Sequence, residues 1–215
     1  MARLQLGVSP RPPAAVAALG ALLALFAPTA DAALRRRAAS PLFGSAPFLD
    51  VAERRAAAHA ARVRGAAPAR AHTIYGDVDG IDDGRVAQWL GVPFAAPPVG
   101  DLRFAPARAP QPWAAPRNAT WWGSVCPQDL PLGFYWGLFS SISEDCLNLN
   151  VYAPGSGAAG QRPPGGWPMM LWFFGGGYEM GAGGFPVYDG YFAVNQTQSV
   201  IIVTMNCECP PEVPK

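Results

Sequence analysis

Histidine and cysteine are scarce in this sequence of 215 residues, which contains two histidines and four cysteines. Cys207 and Cys209 are separated by one residue, a poor spacing for bridging to each other, and a metal site there would lack two further ligands. The acidic residues between positions 79 and 83 lack the full calcium-loop pattern and are better explained as turn residues. The sequence therefore predicts no metal and no cofactor.

Long hydrophobic runs are also missing. The apolar stretch from Ala14 to Ala27 is shorter than the roughly 20 residues that cross a bilayer. It follows Arg3 and Arg11 and precedes the small-x-small motif of residues 30–32, as in a secretory signal peptide. We predict a signal peptide at residues 1–32 and a protein of the secretory pathway or the extracellular space. Two alternatives stay open: an uncleaved anchor, which would be the contact with a membrane, and an organelle-targeting segment.

Charged residues make up only 14% of the chain, and they are unevenly distributed. Residues 1–70 hold ten of the 16 basic residues and three acidic ones, whereas residues 71–215 hold six basic and 12 acidic ones. Residues 33–71 are predicted to be an Ala/Arg-rich linker or pro-segment, in which Asp50 to Arg64 forms a helix that Gly65 ends. Its arginines suit nucleic acid or a membrane, but a solvated helix explains them more simply, and no nucleic-acid partner is predicted.

From His72 the chain alternates strand and turn signals. Thr73 to Val78 and Arg85 to Leu90 are typical of strands, and residues 79–84 between them are typical of a turn. We therefore predict an antiparallel hairpin, with Asp83-Gly84 as its turn.

The segment from Pro168 to Tyr178 joins an apolar strand to three consecutive glycines. Residues 168–174 are almost wholly hydrophobic, as in a strand buried on both faces of a parallel sheet. The three glycines permit a sharp turn and let bare N–H groups approach a ligand. In acyl-transfer enzymes such donors form an oxyanion hole, which stabilises the charge on a carbonyl oxygen. The alternative is an ordinary tight loop in a chain with 24 glycines.

Residues 143–154, S-E-D-C-L-N-L-N-V-Y-A-P, resemble the S-E-D-C-L-x-L-N-V signature of type-B carboxylesterases, the family that includes the cholinesterases. Residues 91–104, G-V-P-F-A-A-P-P-V-G-D-L-R-F, resemble that family's G-I-P-Y-A-x-P-P-V-G-x-L-R-F block. The glycine segment, residues 187–190 and residues 200–206 follow in the family's order. The resemblance covers about residues 72–206. It implies an α/β protein with an incomplete α/β-hydrolase fold: an N-terminal antiparallel hairpin and the first strands of the mostly parallel sheet.

The same resemblance assigns roles to residues around the glycine segment. Gly176 and Gly177 would donate the two oxyanion hydrogen bonds, with Gly175 and Phe174 as supporting loop residues. Phe174 stands where the family usually has His or Tyr, so a polar group that can brace the loop is missing. Trp136 has the spacing of the cation-binding tryptophan of cholinesterases, although a wall or core aromatic is the preferred interpretation.

Two further pairs are structural by resemblance. Cys126 and Cys146 lie where the family places its first disulfide. Arg103 and Glu144 would form a buried ion pair, which is costly to break, on the order of 3–5 kcal/mol. Two N-glycosylation sequons, at Asn118 and Asn195, fall inside the predicted domain.

The family's nucleophile is absent from this sequence. It lies on a G-x-S-x-G elbow, and no serine here has a glycine both two residues before it and two residues after it. His59 and His72 come too early in the chain to be the base of the triad. We therefore expect the N-terminal portion of a secreted serine carboxylic-ester hydrolase, inactive alone, with residues 207–215 as a divergent tail. The full-length parent would act on a small-molecule ester, and the oligomeric state stays open. The alternatives are a non-catalytic, cholinesterase-like adhesion or binding module and a non-functional truncated product.

Overall fold

The computed structural model describes residues 47–128, 141–158, 162–177 and 180–207, the first seven by backbone only. The predicted signal peptide and Trp136 lie outside these ranges. Within them the chain forms two α-helices, α1 and α2, and seven β-strands, β1 to β7. In chain order these are α1 (Pro47–Gly65), β1 (Ala67–Thr73), β2 (Gly76–Asp82), β3 (Val86–Pro93), β4 (Arg117–Asn118), β5 (Asn148–Pro154), β6 (Met169–Trp172), α2 (Gly190–Thr197) and β7 (Ile201–Met205).

The described strands form one mixed sheet, in the order β1-β2-β3-β5-β7-β6, with β4 paired beside β2. From β1 to β7 along this order each neighbouring pair is antiparallel. The last pair, β7 and β6, is parallel, as is the short contact of β4 with β2. An antiparallel N-terminal part thus leads into the first parallel pair, as predicted.

The first hairpin differs from its predicted position. Its turn lies at Ile74 and Tyr75, inside the segment predicted as a strand, and β2 occupies most of the predicted turn of residues 79–84. Gly80 explains the error, because it lies in a strand that packs closely rather than in a turn. A Cβ atom on Gly80 would overlap the carbonyl oxygen of Gln88 on β3. The predicted turn residues Asp83 and Gly84 do connect β2 to β3.

The core lies on both faces of the sheet because β3, its third strand, is buried over most of its length. Alternate β3 side chains point to opposite faces. Ala87 and Trp89 belong to a cluster on one face, and Val86 and Leu90 belong to a cluster on the other, where they meet Tyr152 and Val194. The second face also carries α2, which packs over β3, β5 and β7.

Strand β6 was predicted to be buried on both faces, and this prediction was wrong for the described chain. Its four side chains are 45% to 61% exposed. β6 is the terminal strand of the described sheet, paired on one side with β7. Its apolar sequence therefore specifies a strand without supplying the cover that such a strand needs.

Helix α1 starts at Pro47 rather than at the predicted Asp50, and it ends at Gly65. The prediction of a solvated helix was wrong for one of its faces, because His59 is fully buried. No helix among the described residues is both long and apolar enough to cross a membrane.

Candidate active site

The loop that contains Gly175, Gly176 and Gly177, called the glycine loop below, follows β6 at the carboxyl end of the parallel strand pair. All three of its glycines are exposed. A Cβ atom on Gly176 would overlap the carbonyl oxygen of Met180. Gly177 has a φ of +67°, in the left-handed region that favours glycine. The Met180 N–H donates to the Gly176 carbonyl at 3.2 Å, which closes the loop on itself. Gly176 and Gly177 are therefore glycines for steric and conformational reasons.

The backbone donors of this loop are unused in the described part of the chain. Within those ranges, no backbone hydrogen bond has the N–H of Gly176 or Gly177 as its donor. N–H groups that lack an internal acceptor can donate to an anionic oxygen without first breaking a hydrogen bond. The loop thus has the donors and the exposure that an oxyanion site requires.

Two side-chain amides hold the segment that follows the loop. Gln128 Oε1 accepts the Gly181 N–H at 2.7 Å, and its Nε2 donates to the Gly181 carbonyl at 2.9 Å. Asn206 Oδ1 accepts the Gly183 N–H at 2.9 Å. Neither amide was predicted as a site residue. Asn206 ends the strand block that carries the resemblance, whereas Gln128 has no sequence signal of its own.

Phe174, the supporting residue before the triplet, is half-buried. A Cβ atom on Gly181 would overlap its ring, and Gly181 has a φ of +137°. The aromatic ring and the glycine therefore fit against each other across the loop. This packing gives Phe174 an apolar means of positioning the loop, in place of the hydrogen bond that a His or Tyr would supply.

The structure joins Cys126 and Cys146 by a disulfide, with a Cα–Cα distance of 5.0 Å. Both cysteines are buried, with 7% and 1% of their surface exposed. The Cys146 carbonyl accepts from Nδ2 of Asn148 at 3.0 Å and from Nδ2 of Asn206 at 2.9 Å. Because Asn206 also holds Gly183, the disulfide and the segment after the glycine loop share one hydrogen-bond network.

The predicted pair of Arg103 and Glu144 is in contact, with Arg103 Nε 2.6 Å from Glu144 Oε1. The prediction that this pair is buried was wrong, because the two side chains are 52% and 39% exposed. Water therefore solvates both charges and screens their attraction. The large cost of breaking a buried pair does not apply to it.

The two sequon asparagines lie in different environments. Asn118 is exposed in β4, and its Oδ1 accepts from both the N–H and the hydroxyl of Thr120, at 2.9 and 2.8 Å. Asn195 lies in α2, and its Oδ1 accepts a hydrogen bond from Nε of Arg85.

A mixed sheet of this topology, with a glycine loop after its first parallel strand, defines the N-terminal part of an α/β-hydrolase fold. Residues 67–207 match the carboxylesterase family, and the chain belongs to that family.

Named relatives show how much of a family member the chain contains. It is 40% identical over 141 residues to the para-nitrobenzyl esterase of Bacillus subtilis, covering 65% of this chain and 27% of the relative. It is 40% identical over 135 residues to the fumonisin B1 esterase of Sphingopyxis macrogoltabida, with coverages of 63% and 23%. For the cholinesterase of Mus musculus the identity is 38% over 133 residues, with coverages of 57% and 20%. The chain thus spans about a quarter of the length of the relatives it matches.

Solved structures agree with this assignment of the fold. A para-nitrobenzyl esterase structure superimposes with a TM-score of 0.57 at 39% identity, covering 64% of this chain and 27% of that one. A carboxylesterase from Geobacillus stearothermophilus gives a TM-score of 0.52 at 35% identity, with coverages of 64% and 26%. The predicted family and the predicted incomplete α/β-hydrolase fold are confirmed.

Proposed function

We propose that this chain is the N-terminal portion of a serine carboxylic-ester hydrolase and supplies its oxyanion donors. The observation that carries the proposal is the closed, exposed glycine loop after β6, in which the N–H groups of Gly176 and Gly177 are unused within the described ranges. These two donors bind the oxygen of the ester carbonyl as it becomes negatively charged. Family membership makes a small-molecule ester the substrate of the complete enzyme.

The nucleophile, the acid and the histidine of the triad come, in this proposal, from residues outside the sequence given. No G-x-S-x-G occurs within the 215 residues. The chain alone then retains binding groups without an acyl-enzyme route. We expect no stoichiometric labelling of the isolated chain by a fluorophosphonate probe. Labelling at one of its serines would contradict this part of the proposal.

A chimera tests the oxyanion role directly. Residues 67–207 would replace the matched N-terminal segment of the Bacillus subtilis para-nitrobenzyl esterase, to which they are 40% identical. In that chimera Gly176→Ala forces the loop away from Met180, and we expect kcat to fall by about 10²- to 10³-fold. Gly165→Ala is the matched control, because a Cβ atom on Gly165 meets no atom within 4 Å. Equal kcat values for both variants, each folded by circular dichroism, would contradict the oxyanion role.

A non-catalytic, cholinesterase-like binding module is the second candidate. The chimera separates the two candidates, because a transplanted segment that has lost the oxyanion role would leave the triad of the Bacillus esterase inactive. An active chimera supports the esterase.

We further propose that the protein enters the secretory pathway, where its signal peptide is cleaved. The buried disulfide of Cys126 and Cys146 and the exposed sequon at Asn118 support this, because disulfides persist in oxidising compartments. We expect a glycan at Asn118 and none at Asn195, since Asn195 is helical and bonded to Arg85. The test is the gel mobility of secreted protein before and after glycosidase treatment. Asn118→Gln should abolish the mobility shift, and Asn195→Gln should leave it unchanged.

A further inference from the structure

Helix α1 precedes the family match of residues 67–207, yet it contacts the family domain. The contacts come from Arg55, His59 and Arg62. Their spacing of four and three residues places the three side chains on one face of the helix. This face lies against the aromatic residues Trp121, Trp122 and Tyr191.

His59 is the buried centre of this contact, with 0% of its surface exposed. Its ring centroid lies 4.8 Å from that of Trp121 and 4.4 Å from that of Trp122. Its Nε2 is 2.7 Å from the carbonyl oxygen of Thr120. Because a carbonyl oxygen only accepts, Nε2 carries the proton of the neutral imidazole. The other nitrogen, Nδ1, is buried and has no hydrogen-bond partner in the described part of the chain.

Arg55 is the first of the two cations beside His59. Its guanidinium lies 3.8 Å from the centre of the Trp122 ring, and NH1 donates to the Gly184 carbonyl at 2.6 Å. Its Nε lies 3.8 Å from Oδ2 of Asp189, the N-cap of α2.

Arg62 is the second cation, 4.1 Å from the centre of the Tyr191 ring. The Tyr191 hydroxyl donates to Asp83 at 2.8 Å, and the Tyr152 hydroxyl on β5 accepts from Trp122 at 3.2 Å. Among the described residues, the titratable groups around His59 are therefore two arginines from α1, and two acids and two tyrosines from the domain.

A second proton on His59 would create a buried N–H without an acceptor and a third positive charge beside two arginines. Burial lowers the pKa of His59, and Arg62 and Arg55 lower it further, against the raising effects of the Thr120 hydrogen bond and of Asp189. In a released helix, by contrast, His59 is solvated and has its ordinary pKa of about 6.5.

We propose that α1 is a pH-sensitive latch, held on the sheet by neutral His59 and released when His59 is protonated. Because the seated imidazole binds its proton more weakly than the released one, seating is most favourable above the ordinary pKa. It weakens as the pH falls from there towards the lowered value. For each unit by which the seated pKa lies lower, the seating equilibrium loses up to about tenfold. Release uncovers the parts of the Trp121 and Trp122 rings that contact His59.

The chain offers a matched pair of variants, because it contains only two histidines. His72 is exposed and lies 2.6 Å from Asp77 on the first hairpin. The experiment is hydrogen exchange of residues 33–215, the chain after the proposed cleavage of the signal peptide, between about pH 8 and about pH 5, corrected for the intrinsic exchange rate. We expect α1 amides to lose protection on acidification while β2 and β3 amides keep theirs. His72→Gln should behave as the wild type, whereas His59→Gln should lose the pH dependence.

Arg62→Met is a second test, which is needed if α1 of the His59→Gln variant does not pack on the sheet at any pH. This variant keeps an apolar contact with Tyr191 and removes one cation, so the seated pKa rises and the loss of protection on acidification becomes smaller. Constant α1 protection in the wild type across this pH range would overturn the proposal. A pH response that persists in His59→Gln, or one that disappears in His72→Gln, would overturn it as well.

Discussion

Gln128 and Gly181 are joined by a pair of hydrogen bonds in opposite directions, from the Gly181 N–H to Oε1 and from Nε2 to the Gly181 carbonyl. The amide of Gln128 presents an acceptor oxygen and a donor nitrogen side by side, which fits the N–H and the carbonyl of one residue. The pair ties the residue two positions after Cys126 to the segment that follows the glycine loop. Its effect on the glycine loop is therefore testable by substitution.

Gln128→Glu replaces the donor of this pair with a second carboxylate oxygen, which faces the Gly181 carbonyl and cannot donate to it. We expect the chimera with the Bacillus esterase to lose about 1 to 3 kcal/mol in stability, together with part of its kcat. Gln111→Glu is the matched control, since Gln111 is exposed. Urea unfolding and steady-state kinetics measure both quantities. Equal effects of the two substitutions would show that the amide pair does not position the loop.

The Cys126–Cys146 disulfide closes a loop of sequence separation 20. In the chimera with the Bacillus esterase, opening it by Cys126→Ser and Cys146→Ser should lower the stability in urea unfolding by about 3 kcal/mol, because the unfolded chain regains the freedom that the loop removes. Peptide mapping of secreted protein checks the bond itself. Trypsin cleaves after Arg117 and Glu-C after Glu144, so the two cysteines fall in different peptides. These peptides should elute together before reduction and separately after it; free thiols at both positions would contradict the pairing.

The sequence blocks that resemble the family's motifs predicted much of the fold. Three features were predictable because the sequence blocks around them resemble those of the family. They are the antiparallel start of the sheet, the strand before the glycines and the contact of Arg103 with Glu144. The first hairpin was misplaced because Gly80 and the aspartates around it have turn propensity, and only close packing against Gln88 keeps them in a strand. Tertiary packing overrides local propensity in such cases.

The seating of α1 could not be predicted for a different reason. An arginine-rich helix has the composition of a solvated one, and its burial depends on aromatic partners that are distant in the sequence. Arg55 contacts Trp122 through the face of the indole, and His59 packs against both Trp122 and Trp121. Guanidinium and imidazole groups can pack on aromatic rings without an acidic partner. No nearby acidic residue in the sequence therefore indicates that these side chains are buried.

The exposure of the Arg103–Glu144 pair leads to a prediction opposite to that from the sequence. Glu144→Gln should cost no more than about 1 kcal/mol, and raising the salt concentration should reduce that cost further. Asp145→Asn, at the exposed neighbouring position, is the control for the loss of one negative charge. Thermal unfolding of the chimera with the Bacillus esterase, at low and at high salt, compares the two variants. A loss of several kcal/mol specific to Glu144→Gln would show that the pair is shielded from water in the complete protein.

The exposed strand β6 predicts how the isolated chain behaves in solution. Met170 is 61% exposed and Leu171 is 51% exposed, in a strand at the end of the described sheet. Such an edge offers unpaired backbone groups and apolar side chains to another chain. We expect oxidised residues 33–215 to self-associate and to lack a sharp unfolding transition.

Met170→Lys tests whether β6 is the surface responsible. A charge on an exposed edge opposes pairing without disturbing the core, so the variant should elute with a smaller fraction of associated protein in size-exclusion chromatography with light scattering. Ile74→Lys is the matched control, because Ile74 is 78% exposed in the turn between β1 and β2, away from β6. If the wild type is monomeric and unfolds in one cooperative transition, the edge is not exposed in solution. If both lysine variants reduce association equally, the effect belongs to net charge rather than to this strand.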